Sequence, residues 1–220
     1  MIERGMIFNG EMVRAILDGR KTQTRRIVKG TEGAVKFCKE WDINGEEIFV
    51  VLGEKDHTGM NPVFGATSCP FGTVGDRIWV RETWAEAGAG APNLKLYRAN
   101  YPAHVPPHYE NVPPADEISW TPSIHMPRAA CRILLEITSV RVERLNAISE
   151  EDARAEGIID GGCLNCGEPE PCGCANPEPD ATDAFAYMWQ SIYGQENWNA
   201  NPWVWVIEFK CIEGGDHATN

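Results

Sequence analysis

A lysine and two threonines lie within four residues, at Lys21, Thr22 and Thr24, and Arg20, Arg25 and Arg26 surround them. Crowded cations disfavour one more proton, so a lysine in such company is less basic than a free one. A neutral amine beside a hydroxyl can take its proton and make threonine a nucleophile, the chemistry of attack on an acyl carbon. The same letters also make a solvated basic turn on the surface, and the spacing alone leaves both readings open.

A second cluster has metal-ligand character. Cys163, Cys166, Cys172 and Cys174 pack four thiols into twelve residues of an acidic Pro- and Gly-rich stretch. In a reducing compartment such a set reads as a metal site rather than as disulfides. Four thiolates suit tetrahedral Zn2+ in a closed, structural site that staples the loop and has no open position for hydrolysis. The alternative is a loop with free thiols. Cys38, Cys69, Cys131 and Cys211 are scattered and read as buried or inert.

Charge narrows the partners. The 220 residues carry a formal net charge of −12. Residues 14–29 hold six basic side chains against Asp18, whereas residues 143–183 hold eleven Asp and Glu against Arg144 and Arg154. An acidic body repels a polyanion, which disfavours RNA and fits a small nucleoside or base at one basic pocket. No apolar run is long enough to span a membrane and the first residues lack a signal-peptide pattern, so a cytoplasmic protein with no membrane partner is expected. A 43% hydrophobic content with eight tryptophans is that of a folded chain.

The Lys-Thr segment needs elements to present it. Asn9 reads as an N-cap, with Met12, Val13, Ile16 and Leu17 on one face and Gly19 as the stop. Residues 21–28 then read as extended. In a regular strand Lys21 and Thr24 would face opposite sides, so their cooperation requires a turn or bulge between them. Residues 30–73 are Gly-rich, with one clear strand at Ile48–Leu52. Gly75-Asp76 is a turn opening a strand over Arg77–Glu82. Residues 85–127 form a long Pro-, Ala- and Gly-rich connection with a strand at Leu94–Tyr97 and room for a lid. Ile133, Leu135 and Ile137 alternate as a half-buried strand that Val140 and Val142 continue after a bend. Ser149 caps a short helix that ends at Gly157. Thr182 caps another, whose Phe185, Met188, Trp189 and Ile192 form a core stripe closed by Gly194. Trp203–Lys210 reads as a central strand. Separated strands with short helices between them imply an α+β fold, a small mixed β-barrel with peripheral helices and inserted loops.

The blocks Ile16–Thr22 with Thr24 and Arg26, Gly75-Asp76, Ile133–Thr138, Leu145–Glu156 and Val206–Lys210 resemble, in this order, the ASCH superfamily, whose domain is a PUA-like β-barrel. Two groups within it are similar. Longer phage and prophage ASCH proteins share the Gly75–Trp84 and Trp120–Arg128 stretches. Small bacterial amidohydrolases that deacylate N4-acetylcytidine match in short blocks. In the latter a lysine, a threonine and a glutamate are taken as the catalytic triad, which the resemblance carries onto Lys21, Thr24 and Glu156, with Glu151 and Asp152 as nearby decoys.

The resemblance thus implies an amidohydrolase that removes the acyl group from N4-acylated cytosine nucleosides or bases, with no catalytic cofactor. The chain departs from the small enzymes by insertions at about 30–73, 85–127 and 160–180 within a single domain over 1–213, followed by a tail at 214–220. Arg26 is a candidate oxyanion donor. Arg81 and Glu82, at a strand end, line the pocket or form a surface ion pair. Trp84 either stacks on a base, worth roughly 1–3 kcal/mol, or is an ordinary half-buried tryptophan. His125 and Arg128, in the block shared with the phage relatives, are further binding candidates. The competing functions are a non-catalytic PUA-like binder of RNA or a modified nucleoside, of phage origin, and a ribonuclease.

Overall fold

The computed structural model describes residues 1–88, 90–91, 93–109, 111–159 and 181–213. Strand β1 (Glu3–Ile7) leads into helix α1 (Gly10–Leu17) and strand β2 (Gln23–Ile27). Strands β3 (Lys36–Trp41), β4 (Glu47–Leu52) and β5 (Val63–Thr67) form an antiparallel sheet of their own. Then come β6 (Arg77–Arg81), the hairpin β7 (Trp84–Glu86) and β8 (Lys95–Tyr97), and β9 (Leu134–Arg144). Helices α2 (Glu150–Ala155), α3 (Ala181–Tyr193) and α4 (Gln195–Asn199) precede β10 (Trp203–Glu213).

The main sheet runs β1-β6-β9-β10-β2, with β1 and β6 parallel and every other pair antiparallel. Strand β10 is an almost unbroken apolar run because both of its faces are covered. Trp205, Ile207 and Phe209 join a core with Phe8, Val13 and Ile16, whereas Val204 and Val206 pack with Phe185, Trp189 and Ala153. Helix α1 therefore covers one face of the sheet, and α2 and α3 cover the other. The bend expected after Thr138 is a bulge: Ser139 pairs with Glu208 and Ile137 with Phe209, leaving Thr138 as the extra residue.

The α+β expectation holds. Among the described residues the ladder is open, with β1 and β2 as its edges, but the edges approach within one side chain's reach, because Arg26 Nη2 in β2 donates to Ile7 O in β1 at 3.1 Å. Among these residues no helix is long and apolar enough to cross a membrane.

Several local expectations change. Residues 30–73 hold three strands rather than one, docked on the main sheet by Phe49 against Trp205, ring centroids 5.0 Å apart. Thr182 is not a cap, since Ala181 is already helical. The carboxylate of Glu150 in α2 instead accepts the backbone N–H groups of Ala181 at 2.9 Å and Thr182 at 3.2 Å. Asp76 does more than turn the chain. It accepts Ile2 N–H at 2.7 Å and Thr73 N–H at 3.2 Å, pinning the start of β1 beside β6. Burial opposes its charge, yet those two hydrogen bonds and Arg4 hold its carboxyl below the usual range.

Candidate functional site

Ser149 Oγ accepts Asp152 N–H at 3.1 Å and starts α2, which ends with Glu156 as its C-cap. Gly157 follows at φ +91°, and a Cβ there would meet Ala15 Cβ at 2.8 Å and Lys21 Cβ at 3.0 Å. Glycine thus permits both the left-handed turn and the close approach that presses Glu156 against Lys21. Gly157→Ala is expected to cost about 1–3 kcal/mol of stability through backbone strain and to displace the Lys21–Glu156 pair. Urea unfolding checks the first expectation, and an undiminished midpoint would contradict it.

Lys21 stands outside the regular strand, as a single bridge residue opposite Glu156. The Lys21 and Thr24 side chains nevertheless part: Lys21 reaches the Glu156 carboxylate that Arg25 also binds, whereas Thr24 lies on the opposite face of β2 from Arg25. Lys21 Nζ donates to Glu156 Oε2 at 2.6 Å and to Glu156 O at 2.8 Å. Lys21 is 2% exposed and Glu156 3%. Complete burial pushes the Lys21 ammonium below its ordinary range; Glu156 opposes this, and Arg26 and Arg25 add to it. The expected crowding by cations is thus real but secondary to desolvation. Arg20, counted among those cations, is engaged by Asp18 Oδ2 and Gly157 O, both at 2.9 Å.

Strand β2 sorts the remaining groups by face. Arg25, opposite Val206, points toward α2 and α3. It donates to Asp152 Oδ2 at 2.8 Å, Glu156 Oε1 at 3.3 Å and Glu143 Oε2 at 3.5 Å, and its guanidinium lies 5.8 Å from the centre of the Phe185 ring. Asp152 also takes Arg141 at 2.9 Å, so this decoy carboxylate braces the site. Thr24, opposite Ile207, points to the other face with Arg26. Arg26 Nη1 donates to Thr24 Oγ1 at 2.7 Å and to Arg25 O at 2.8 Å, above the Phe8 ring. Among the described residues no hydrogen bond joins Lys21 to Thr24. Arg26 links them: it holds the hydroxyl and it depresses the amine.

Two clefts flank this assembly. The first, about 370 Å3, runs between the end of β1 and α3, with Arg25, Arg26 and Glu156 at a polar end and Phe185, Trp189 and Tyr193 along an aromatic wall. The second, about 450 Å3, runs along α1, with Glu11, Arg14, Asp18 and Arg20 on its wall. Glu156, Asn9, Met12 and Met188 line both. Thr24 lines neither and is fully buried beneath Arg26.

Of the six expected binding residues, Arg26 alone lines these clefts. Glu82 is buried in a bidentate pair with Arg132, at 2.8 and 2.9 Å, and so is neither a surface partner of Arg81 nor a pocket residue of this site. Arg81 donates to Ile124 O and lies over the Trp79 ring. Trp84 is buried with Tyr97, Met126 and Ala130 in a separate small core, out of reach as a stacking platform. His125 is exposed on a 3-10 turn, and Arg128 pairs with Glu3 at 2.9 Å. Cys163, Cys166, Cys172 and Cys174 lie outside the described residues. Among the scattered thiols Cys69 is buried, with its pKa pushed up to about 11 by burial, whereas Cys211 is exposed.

Sequence reasoning missed Arg25 as the hub of the ion-pair network and α3 as the wall of a cleft. The second had a signal, since the stripe read as core runs on past Trp189 into Ile192 and Tyr193, where a purely structural helix would turn polar. Comparison with family models, curated proteins and solved structures finds no match.

Proposed function

We propose that this chain is an ASCH-type domain on a PUA-like barrel and hydrolyses the amide of N4-acylated cytosine nucleosides or bases, giving the amino compound and a carboxylic acid. The observation that carries the reading is the buried Lys21–Glu156 pair, linked through Arg26 to a threonine whose oxygen accepts from that guanidinium. The reach of Arg26 from β2 to β1 supports a sheet curled toward closure.

In this mechanism Lys21, whose neutral form burial makes more accessible, takes the Thr24 Oγ proton in that form. The oxygen bonds to the acyl carbon, and the carbonyl π pair moves onto its oxygen. Arg26 receives that developing negative charge. The C–N bond then breaks as the exocyclic nitrogen takes a proton relayed by Glu156, leaving an acyl-threonine ester. Water, deprotonated by the same amine, cleaves the ester to the carboxylic acid and restores Thr24. For the first step Arg26 must yield the space it now fills over the hydroxyl.

The test is incubation with N4-acetylcytidine, followed by absorbance as cytidine forms. Turnover is the expected result, and its absence with folded protein overturns the hydrolase. The complete burial of Thr24 favours a second reading, a non-catalytic binder of RNA or a modified nucleoside. A gel shift with single-stranded RNA at low salt identifies it.

A further inference from the structure

Strand β4 reads Ile48-Phe49-Val50-Val51-Leu52, five apolar residues in a row. An antiparallel sheet with one wet face alternates apolar and polar side chains, so an unbroken run asks for cover on both sides. One side has that cover. Phe49 packs on Trp205, and Phe37, on the same face of the sheet, packs on Trp203, each pair with ring centroids 5.0 Å apart.

The other side is bare. The register sets Cys38, Val50 and Ala66 in one row across it, with Lys36, Leu52 and Val63 in the next row on one flank and Glu40 and Ile48 on the other. Ile48, Val50 and Leu52 are half-buried at most, and Val63 is 67% exposed. None of these four belongs to a hydrophobic core among the described residues.

The charges on this bare face run head to tail. Lys36 and Glu40 stand two residues to either side of Cys38, both are exposed, and neither has an ion-pair partner among the described residues. On the covered face, by contrast, Lys39 meets Glu47 at 2.6 Å. A two-fold axis crossing the strands at the Cys38–Val50–Ala66 row lays β3 antiparallel over its own copy. That rotation puts Lys36 opposite the partner's Glu40, Leu52 opposite the partner's Ile48, and Val50 on its equivalent. The face is thus complementary to itself in charge and in apolarity, as an isologous contact requires.

We propose that the outer face of the β3–β4–β5 sheet is a two-fold interface that takes a second copy of this chain, sheet on sheet at about 10 Å, with two Lys36–Glu40 pairs at its rim. Three strands of this length cover roughly 14 by 18 Å, far less than the ~800 Å2 per partner of a standard interface, so the dimer is reversible and weak.

The experiment measures the mass of the intact chain by light scattering and sedimentation equilibrium across concentration, with no substrate, so its outcome is independent of hydrolysis. A monomer–dimer equilibrium with Kd of about 10–100 µM is expected. Lys36→Glu and Glu40→Lys are each expected to raise Kd at least about tenfold, because each sets like charges face to face. The double variant Lys36→Glu/Glu40→Lys restores both pairs and is expected to return Kd to within about threefold of the parent. Both positions are exposed, so Tm should hold in all three. A short bismaleimide should link two copies through Cys38, and the Cys38→Ser chain should lose that link. A chain that stays monomeric to about 1 mM, single variants that associate like the parent, or a double variant that fails to recover overturns the proposal. Recovery in the double variant is the decisive support, since a contact with any other protein would be broken, not restored, by the exchange.

Discussion

Thr24→Val should abolish deacylation of N4-acetylcytidine, with kcat/KM falling by at least ~10²–10⁴-fold, while the protein stays folded. Valine matches threonine in shape and deletes only the oxygen. Thr24 is fully buried, so the methyl that replaces the hydroxyl enters an enclosed site and no exposed apolar surface is created. The bond lost is the one from Arg26 Nη1 at 2.7 Å, and that nitrogen keeps Arg25 O at 2.8 Å. With the guanidinium still partnered, the stability change is expected within about 1–2 kcal/mol, read as a small shift in the urea midpoint. Activity and stability thus separate, which a purely structural threonine would not allow. Thr24→Ser keeps the nucleophile and should retain measurable turnover. If Thr24→Val hydrolyses at near the wild-type rate, water is the attacking group and Thr24 only seats Arg26.

What the sequence reveals and what it hides follow from the range of the interactions involved. The caps at Asn9 and Ser149 are legible because each is satisfied three residues away, by Met12 N–H and Asp152 N–H. The cap of α3 is not, because its acceptor, Glu150, lies 31 residues back. Strand β4 is legible from its apolar run, but its neighbours are not. Val63 and Phe64 of β5 are exposed, and β3 reads Lys-Phe-Cys-Lys-Glu-Trp with little of the alternation that marks a buried face. Pairing, not period, makes them strands. Glu156 stands among three other acids, and only the resemblance singled it out. In space Lys21 and Arg25 both choose it, Arg25 and Arg141 take Asp152, and Glu151 is left exposed. The stripe on α3 was read as core, which is right for Phe185 and Trp189. A cleft wall and a core face carry the same apolar letters, so periodicity does not tell them apart.

The counting of charges around Glu156 leads to an asymmetry in stability. Glu156 is one carboxylate facing two cations, Lys21 at 2.6 Å and Arg25 at 3.3 Å, with Arg26 close enough to depress the lysine. Lys21→Met leaves the carboxylate with Arg25, so its charge stays compensated, and the expected loss is about 2 kcal/mol from two buried hydrogen bonds. Glu156→Gln takes from Lys21 the carboxylate it is paired with, while Arg25 keeps Asp152 at 2.8 Å, and the expected loss is the ~3–5 kcal/mol of breaking a buried ion pair by removing one partner. Urea unfolding of the two single variants and the double variant measures both costs and their coupling.

The lysine also sets a pH dependence with a defined sign. Its folded pKa lies below the ~10.4 of a free lysine, because burial favours the neutral amine. Between those two values the unfolded chain binds more protons than the folded one, so stability rises with pH across that window. Activity follows the same titration, since the base is the neutral amine, and kcat/KM should climb along an acid limb placed below the range of an ordinary lysine. Lys21→Met should abolish the turnover and flatten the alkaline rise in stability, with no such flattening in Thr24→Val. A larger loss of stability in Lys21→Met than in Glu156→Gln would show that Arg25 does not share the carboxylate, and the neutral-amine mechanism would lose the excess of positive charge that assists it.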